Sequence, residues 1–105
     1  MSASASGENP SVLGQMRGFE WDSEEAVAYE AAIEAVNGVV GAYSARIAAE
    51  EARPEPDAQA IAAAIAGRRE VQRLRESLDP ADHAAIARTR REMTELARQI
   101  REVRR

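Results

Sequence analysis

Residues 29–47 read YEAAIEAVNGVVGAYSARI, and the spacing of the large side chains in this stretch decides the fold. Tyr29, Ile33, Val36, Val40, Tyr43 and Ile47 recur at intervals of 4, 3, 4, 3 and 4, the a/d seam of a helix built to pack against other helices. A second line, Ala28, Ala31, Ala35, Gly38, Ala42, Ala45 and Ala49, keeps the same rhythm almost opposite, and every member is Ala or Gly. Glu30, Glu34, Asn37 and Ser44 occupy one flank between the two lines. The helix therefore carries a bulky face, a small-residue face and a polar face.

Working outward, the helix has a start and a stop. Asp22 (or Ser23) is placed to cap it, with Glu25 at the third helical position to complete a capping box. Arg53-Pro54-Glu55-Pro56 ends it, because proline has no N–H to continue the ladder. A helix over residues 22–52 is a rod of roughly 45 Å at 1.5 Å per residue. A second helix is expected over 57–78, capped by Asp57, with Ala60, Ala64, Gly67, Val71, Leu74 and Leu78 at heptad spacing. A third is expected over 80–104: Asp79 as cap, Pro80 at the first helical position, and Ile86, Thr89, Met93, Leu96, Ile100 and Val103 as its seam. The short link between the last two predicts an antiparallel αα-hairpin. The expected fold is all-α, a three-helix bundle with a long first helix and coiled-coil-like seams, in a single helical domain over residues 22–105.

Residues 1–20 are expected to form a flexible N-terminal tail. Within it the segment 11–21 holds Val12, Leu13, Met16, Phe19 and Trp21, but Gly14 and Gly18 interrupt it, each costing a helix about 0.8–1 kcal/mol relative to Ala. The reading is a sticky, irregular segment in which Phe19 and Trp21 anchor a contact.

The chain of 105 residues contains 18 acids and 14 basic residues, all of them Arg, with no Lys and no Cys. Without cysteine there is neither a disulfide framework nor a thiolate zinc site. No run approaches eighteen apolar residues, so no span of a membrane is expected, and the polar N-terminus lacks the apolar core of a secretory signal. A cytoplasmic location is expected, and the exclusive use of Arg beside 23 Ala suggests the codon usage of a GC-rich bacterial genome. Charge is divided along the chain. Residues 1–57 hold 11 acids and 3 Arg, a net of −8, whereas residues 58–105 hold 7 acids and 11 Arg, a net of +4, recovering the total of −4. That division suggests electrostatic matching, within one chain or between two.

Catalytic signals are weak. His83 is the single histidine, and with Asp79 and Asp82 alone it makes a poor ligand set, since a metal needs three or four ligands. Glu92-x-x-Glu95 resembles half of the carboxylate pattern of all-helical nucleotide pyrophosphatases, but no second pair at matching spacing follows in residues 96–105. All-helical chorismate mutases are similar in size and helix order only, and this chain lacks the Lys of their anion-binding constellation. No glycine elbow accompanies a serine, and no Gly-rich phosphate loop is present. No catalytic residue, cofactor or metal is assigned.

The expected role is a non-catalytic helical protein–protein interaction module, an adaptor, scaffold or regulatory subunit, whose partner is a second copy (a homodimer) or another helical protein. The candidate interface is Ala31, Ala35, Gly38, Ala42 and Ala45, with Phe19 and Trp21 as a secondary anchor. The alternative is a small regulatory nucleic-acid-associated or antitoxin-like protein, with Arg90, Arg91, Arg98 and Arg101 as candidate phosphate contacts. The acidic pI of about 5.1 and the lack of aromatics among those arginines disfavour it. A third reading is an enzyme whose Arg/Glu site is shared between subunits of an oligomer.

Overall fold

A computed structural model describes the backbone of residues 10–102 and the side chains of residues 23–102. Three helices make up these residues: α1 (Pro10–Glu51), α2 (Ala58–Ser77) and α3 (His83–Glu102), with no strand among the described residues. The chain is a three-helix bundle. The expectations for residues 1–9 and 103–105 lie outside the described residues, as do those for the Phe19 and Trp21 side chains.

The first helix starts twelve residues earlier than the Asp22 signal indicates. It begins at Pro10 and runs unbroken through Gly14 and Gly18, 42 residues in all. This corrects the irregular segment expected over 11–21. The cost of nucleating a helix arises once, and residues added to an existing rod bear only their own propensity. Pro10 suits the first helical position, where its missing N–H removes no intrahelical bond. With Asp22 and Ser23 inside the helix, the capping box has no free N–H groups to serve, and Glu25 becomes available for another contact.

The other two caps divide. Asp57 caps α2 as expected: its side chain accepts from the N–H groups of Gln59 (3.0 Å) and Ala60 (3.2 Å). Upstream, the Glu50 carboxylate accepts from the Asp57 N–H and from Arg53, each at 2.8 Å, and so ties the turn between α1 and α2. At α3 the cap shifts from Asp79 to Asp82, whose carboxylate accepts from the Ala85 N–H at 3.1 Å. Asp79 instead bonds the Ala81 N–H at 3.0 Å and organises the turn ahead of the helix, so Pro80 lies outside α3.

Cross-contacts fix the directions. Arg68 donates to Ser44 Oγ at 3.0 Å and Arg75 to Asn37 Oδ1 at 2.5 Å, so α2 returns antiparallel along α1. His83 meets Glu25, and Ile100 lies beside Ala45 and Ala49, so α3 runs parallel to α1 and antiparallel to α2. Both short helices lean on the long one: no Cα of α2 comes within 8 Å of a Cα of α3.

That arrangement sets the core. A helix with two neighbours on different flanks buries a wider arc than one seam. Val36 and Val39 are fully buried, joined by Ala42, Val71, Met93, Ala97 and Ile100. From the expected seam only Val36 and Ile47 are buried; Tyr29, Ile33, Val40 and Tyr43 are half-buried. The centre of burial has moved toward the small-residue side, where α3 packs. On the α2 side, Tyr43 lies across Gly67: a Cβ built there would sit 2.6 Å from the tyrosine ring. Glycine at 67 lets the ring lie against the α2 backbone.

Val39→Asp should abolish cooperative unfolding, since an unpaired charge in that position costs several kcal/mol. Ile33→Asp should only lower the midpoint, because Ile33 has water within reach; urea titration followed by circular dichroism checks the order. Gly67→Ala should lower the melting temperature despite a helix-propensity gain of about 1 kcal/mol. In a Tyr43→Leu background the same change should raise it, and equal effects in both backgrounds would contradict the ring contact.

Candidate helix-packing interface

Two 20-residue helices cannot cover a 42-residue one. α2 covers the flank of α1 that carries Asn37 and Ser44, and α3 covers the flank that carries Ala42. Between these flanks, on the side away from the core, a strip of α1 has no neighbour among the described residues. At 100° per residue, Val27, Gly38 and Ala45 fall within about 20° of one another on that strip. Val27 is 65 % exposed, the most prominent large apolar side chain left in water among the described residues. Gly41 and Ala45 are exposed and Gly38 is half-buried.

The expected interface residues therefore separate into two sets. Ala42 is buried in the core, and Ala35 packs against that core, so both serve inside the chain. Ala31 and Gly38 are half-buried, and Ala45 is exposed. A Cβ built on Gly38 or Gly41 meets nothing within 4 Å, so these glycines are not required by intramolecular packing. Where α3 ends, the strip deepens into a groove of about 340 Å³. Its floor is Gly41, Ala45 and Ala49 beside Ile100, and Arg46 and Arg101 stand at its sides. Neither arginine pairs with a carboxylate among the described residues. Arg101 sits in the last turn of α3, where the helix dipole favours a cation.

The candidate phosphate contacts do not act as one patch. Arg98 is occupied within its own helix by Glu95 and by Glu102 at 2.6 Å. Arg90, Arg91 and Arg101 are exposed and unpaired among the described residues. The hydrogen bond from Arg98 holds the Glu95 carboxyl below its ordinary value, and Glu95 and Glu102 together raise Arg98. Both side chains are exposed to water, so the pair orders the helix surface and adds little to stability.

His83 and the loop acids form no metal centre. His83 Nε2 donates to Glu25 Oε2 at 2.7 Å, tying the start of α3 to α1 beside a small cleft that Glu24 and Ala28 also line. Asp79 and Asp82 are committed to backbone N–H groups. Among the described residues no group of three or more His, Asp or Glu converges. No helix among them is long and apolar enough to cross a membrane.

Sequence reasoning missed Val27, Arg46 and the contribution of α3. Val27 was legible: it stands 11 residues before Gly38 and so shares its face, but it lies off the bulky seam that drew attention. The pairing of Arg46 with Arg101 needed the parallel docking of α3, which no local pattern encodes.

Because a depressed carboxyl keeps its charge to lower pH, the Glu95–Arg98 contact contributes above the ordinary Glu pKa and is lost as pH falls through the lowered value. Carboxyl titration by NMR should find Glu95 below the ordinary value of a glutamate, and Arg98→Ala should raise it back toward that value. No family model matches the chain, and no curated protein or solved structure matches it.

Proposed function

We propose that this protein is a non-catalytic helical interaction module, which acts by packing α1 against the helix of a partner. The observation that supports this reading is the mismatch between α1 and its cover. A 42-residue helix has one strip that α2 and α3 leave open, with Val27 in water and two glycines that the fold does not require. Burying apolar surface yields roughly 25 cal/mol per Å², so such a strip gains from a helical neighbour. Small residues allow that neighbour to come close. A role as adaptor, scaffold or regulatory subunit is the one that an open strip of small and apolar side chains supports.

A second reading has its own observation. Arg90, Arg91 and Arg101 are exposed and unpaired among the described residues, which leaves them able to touch phosphate. Salt separates the two. Phosphate contacts weaken steeply with added salt, whereas apolar helix packing is nearly indifferent.

Light scattering coupled to size-exclusion chromatography, at about 0.1 M and about 1 M salt where the Debye length falls from about 10 Å to about 3 Å, tests this. We expect a mass above the 11.4 kDa of one chain in both conditions. A monomer in both that binds duplex nucleic acid only at low salt would overturn the packing reading in favour of the phosphate one.

A further inference from the structure

The groove at the end of α3 has a charge that selects its occupant. Its floor is apolar and tight, and Arg46 and Arg101 stand beside it without carboxylate partners among the described residues. It fits a helix that brings one apolar side chain and an acid one turn away. The chain contains such a helix. On α1 itself, Val27 is exposed, Glu24 lies one turn before it, and Glu24 is exposed with no partner among the described residues. Val27 and Ala45 lie 18 residues apart, about five full turns, so both point from the same strip.

A helix with acid and a large apolar group at one end, and small residues and arginine at the other, is self-complementary only when reversed. Side by side in the same direction, Val27 would meet Val27 and Glu24 would meet Glu24, with the two arginines together at the far end. Reversed, Val27 of each copy reaches the hole between Gly38, Gly41 and Ala45 of the other. The same reversal carries Glu24 to the level of residue 44, about 3 Å along the axis from Arg46, which brings Glu24 beside Arg46 and Arg101. The midpoint of 27 and 41 is 34, so the two-fold axis passes at Glu34, and the two copies of that exposed carboxylate face each other.

We propose that two copies of the chain pair antiparallel along α1, with Val27 seated over Gly38, Gly41 and Ala45 of the other copy, and Glu24 paired with Arg46 and Arg101. This rests on the helix-packing reading above and gives it a partner, a direction and a register. The like charges at Glu34 oppose assembly and set its strength, because two carboxylates facing each other across an axis repel.

The protein has no cysteine among its residues, so single thiols report the register directly. Glu34→Cys should oxidise to a covalent dimer, whereas Val27→Cys or Ala45→Cys alone should not, since each lies far from its own copy. Mixing Val27→Cys with Ala45→Cys should restore cross-linking between the two. A cross-link at Val27→Cys alone shows parallel pairing and overturns this proposal while leaving helix packing intact. A wild-type monomer at about 100 µM, well above a micromolar Kd, overturns it as well.

Three further variants test the chemistry, each at a position where the fold has room. Gly41→Leu should leave the circular dichroism unchanged and raise the dimer Kd by at least tenfold. Arg46→Glu should weaken pairing by a similar factor, and Arg46→Glu with Glu24→Arg should recover most of it. Glu34→Gln should tighten the dimer, and an unchanged Kd there would place the axis elsewhere and refute the register.

Discussion

Everything in this bundle depends on one helix being shared by two neighbours that do not support each other. Val36 and Val39 are the largest side chains fully shut off from water among the described residues, and they lie on α1 between the lines of approach of α2 and α3. Val71 from one side and Met93, Ala97 and Ile100 from the other close over them. Because α2 and α3 keep their backbones apart, no third wall reinforces the contact. The small side chains of α1 follow from that constraint. Ala32, Ala35 and Ala42 admit α3 closely, and Gly67 admits Tyr43.

The same arrangement explains why the chain is open to a partner. A closed three-helix bundle turns every apolar stripe inward. Here the long helix has three sides and, among the described residues, two neighbours, and the third side combines a lone valine, bare glycines and a groove edged by arginine. The charge division of the sequence then acquires a location. The carboxylates of residues 24–34 and the cations near the α3 terminus lie toward opposite ends of one strip, an arrangement suited to pairing between chains.

The fold was legible because its signals are local and repetitive. Asp57 announces α2 by position and chemistry, and the seams of α1 and α3 announce themselves by interval. The starts of α1 and α3 were misplaced for opposite reasons. At α1, four consecutive acid or hydroxyl residues, Asp22 to Glu25, imitate a cap in the middle of a helix that began earlier. At α3, two aspartates three residues apart both suit a cap, and only the turn geometry assigns the role to Asp82. The candidate site was half legible. Gly38 and Ala45 lie where the small-residue line put them, but Ala42 belongs to the core, since a helix wheel does not say which flank a distant segment covers. The contacts that decide this join residues up to 58 positions apart, as Glu25 and His83 do.

The separation of α2 from α3 also bears on how the chain comes to be folded. α2 turns straight back onto α1 through a link tied by Glu50 and Asp57, only seven residues apart. α3 must find its place at the far end of α1, and its closure spans most of the chain. Loop closure favours the near contact, so α1 and α2 form a hairpin first. A chain emerging from the ribosome in N-to-C order completes that hairpin before α3 is free to dock. During that interval the face of Val36 and Val39 that awaits Met93 and Ile100 is covered on one side only, which makes it a landing place for the α3 of a neighbouring nascent chain as well as its own.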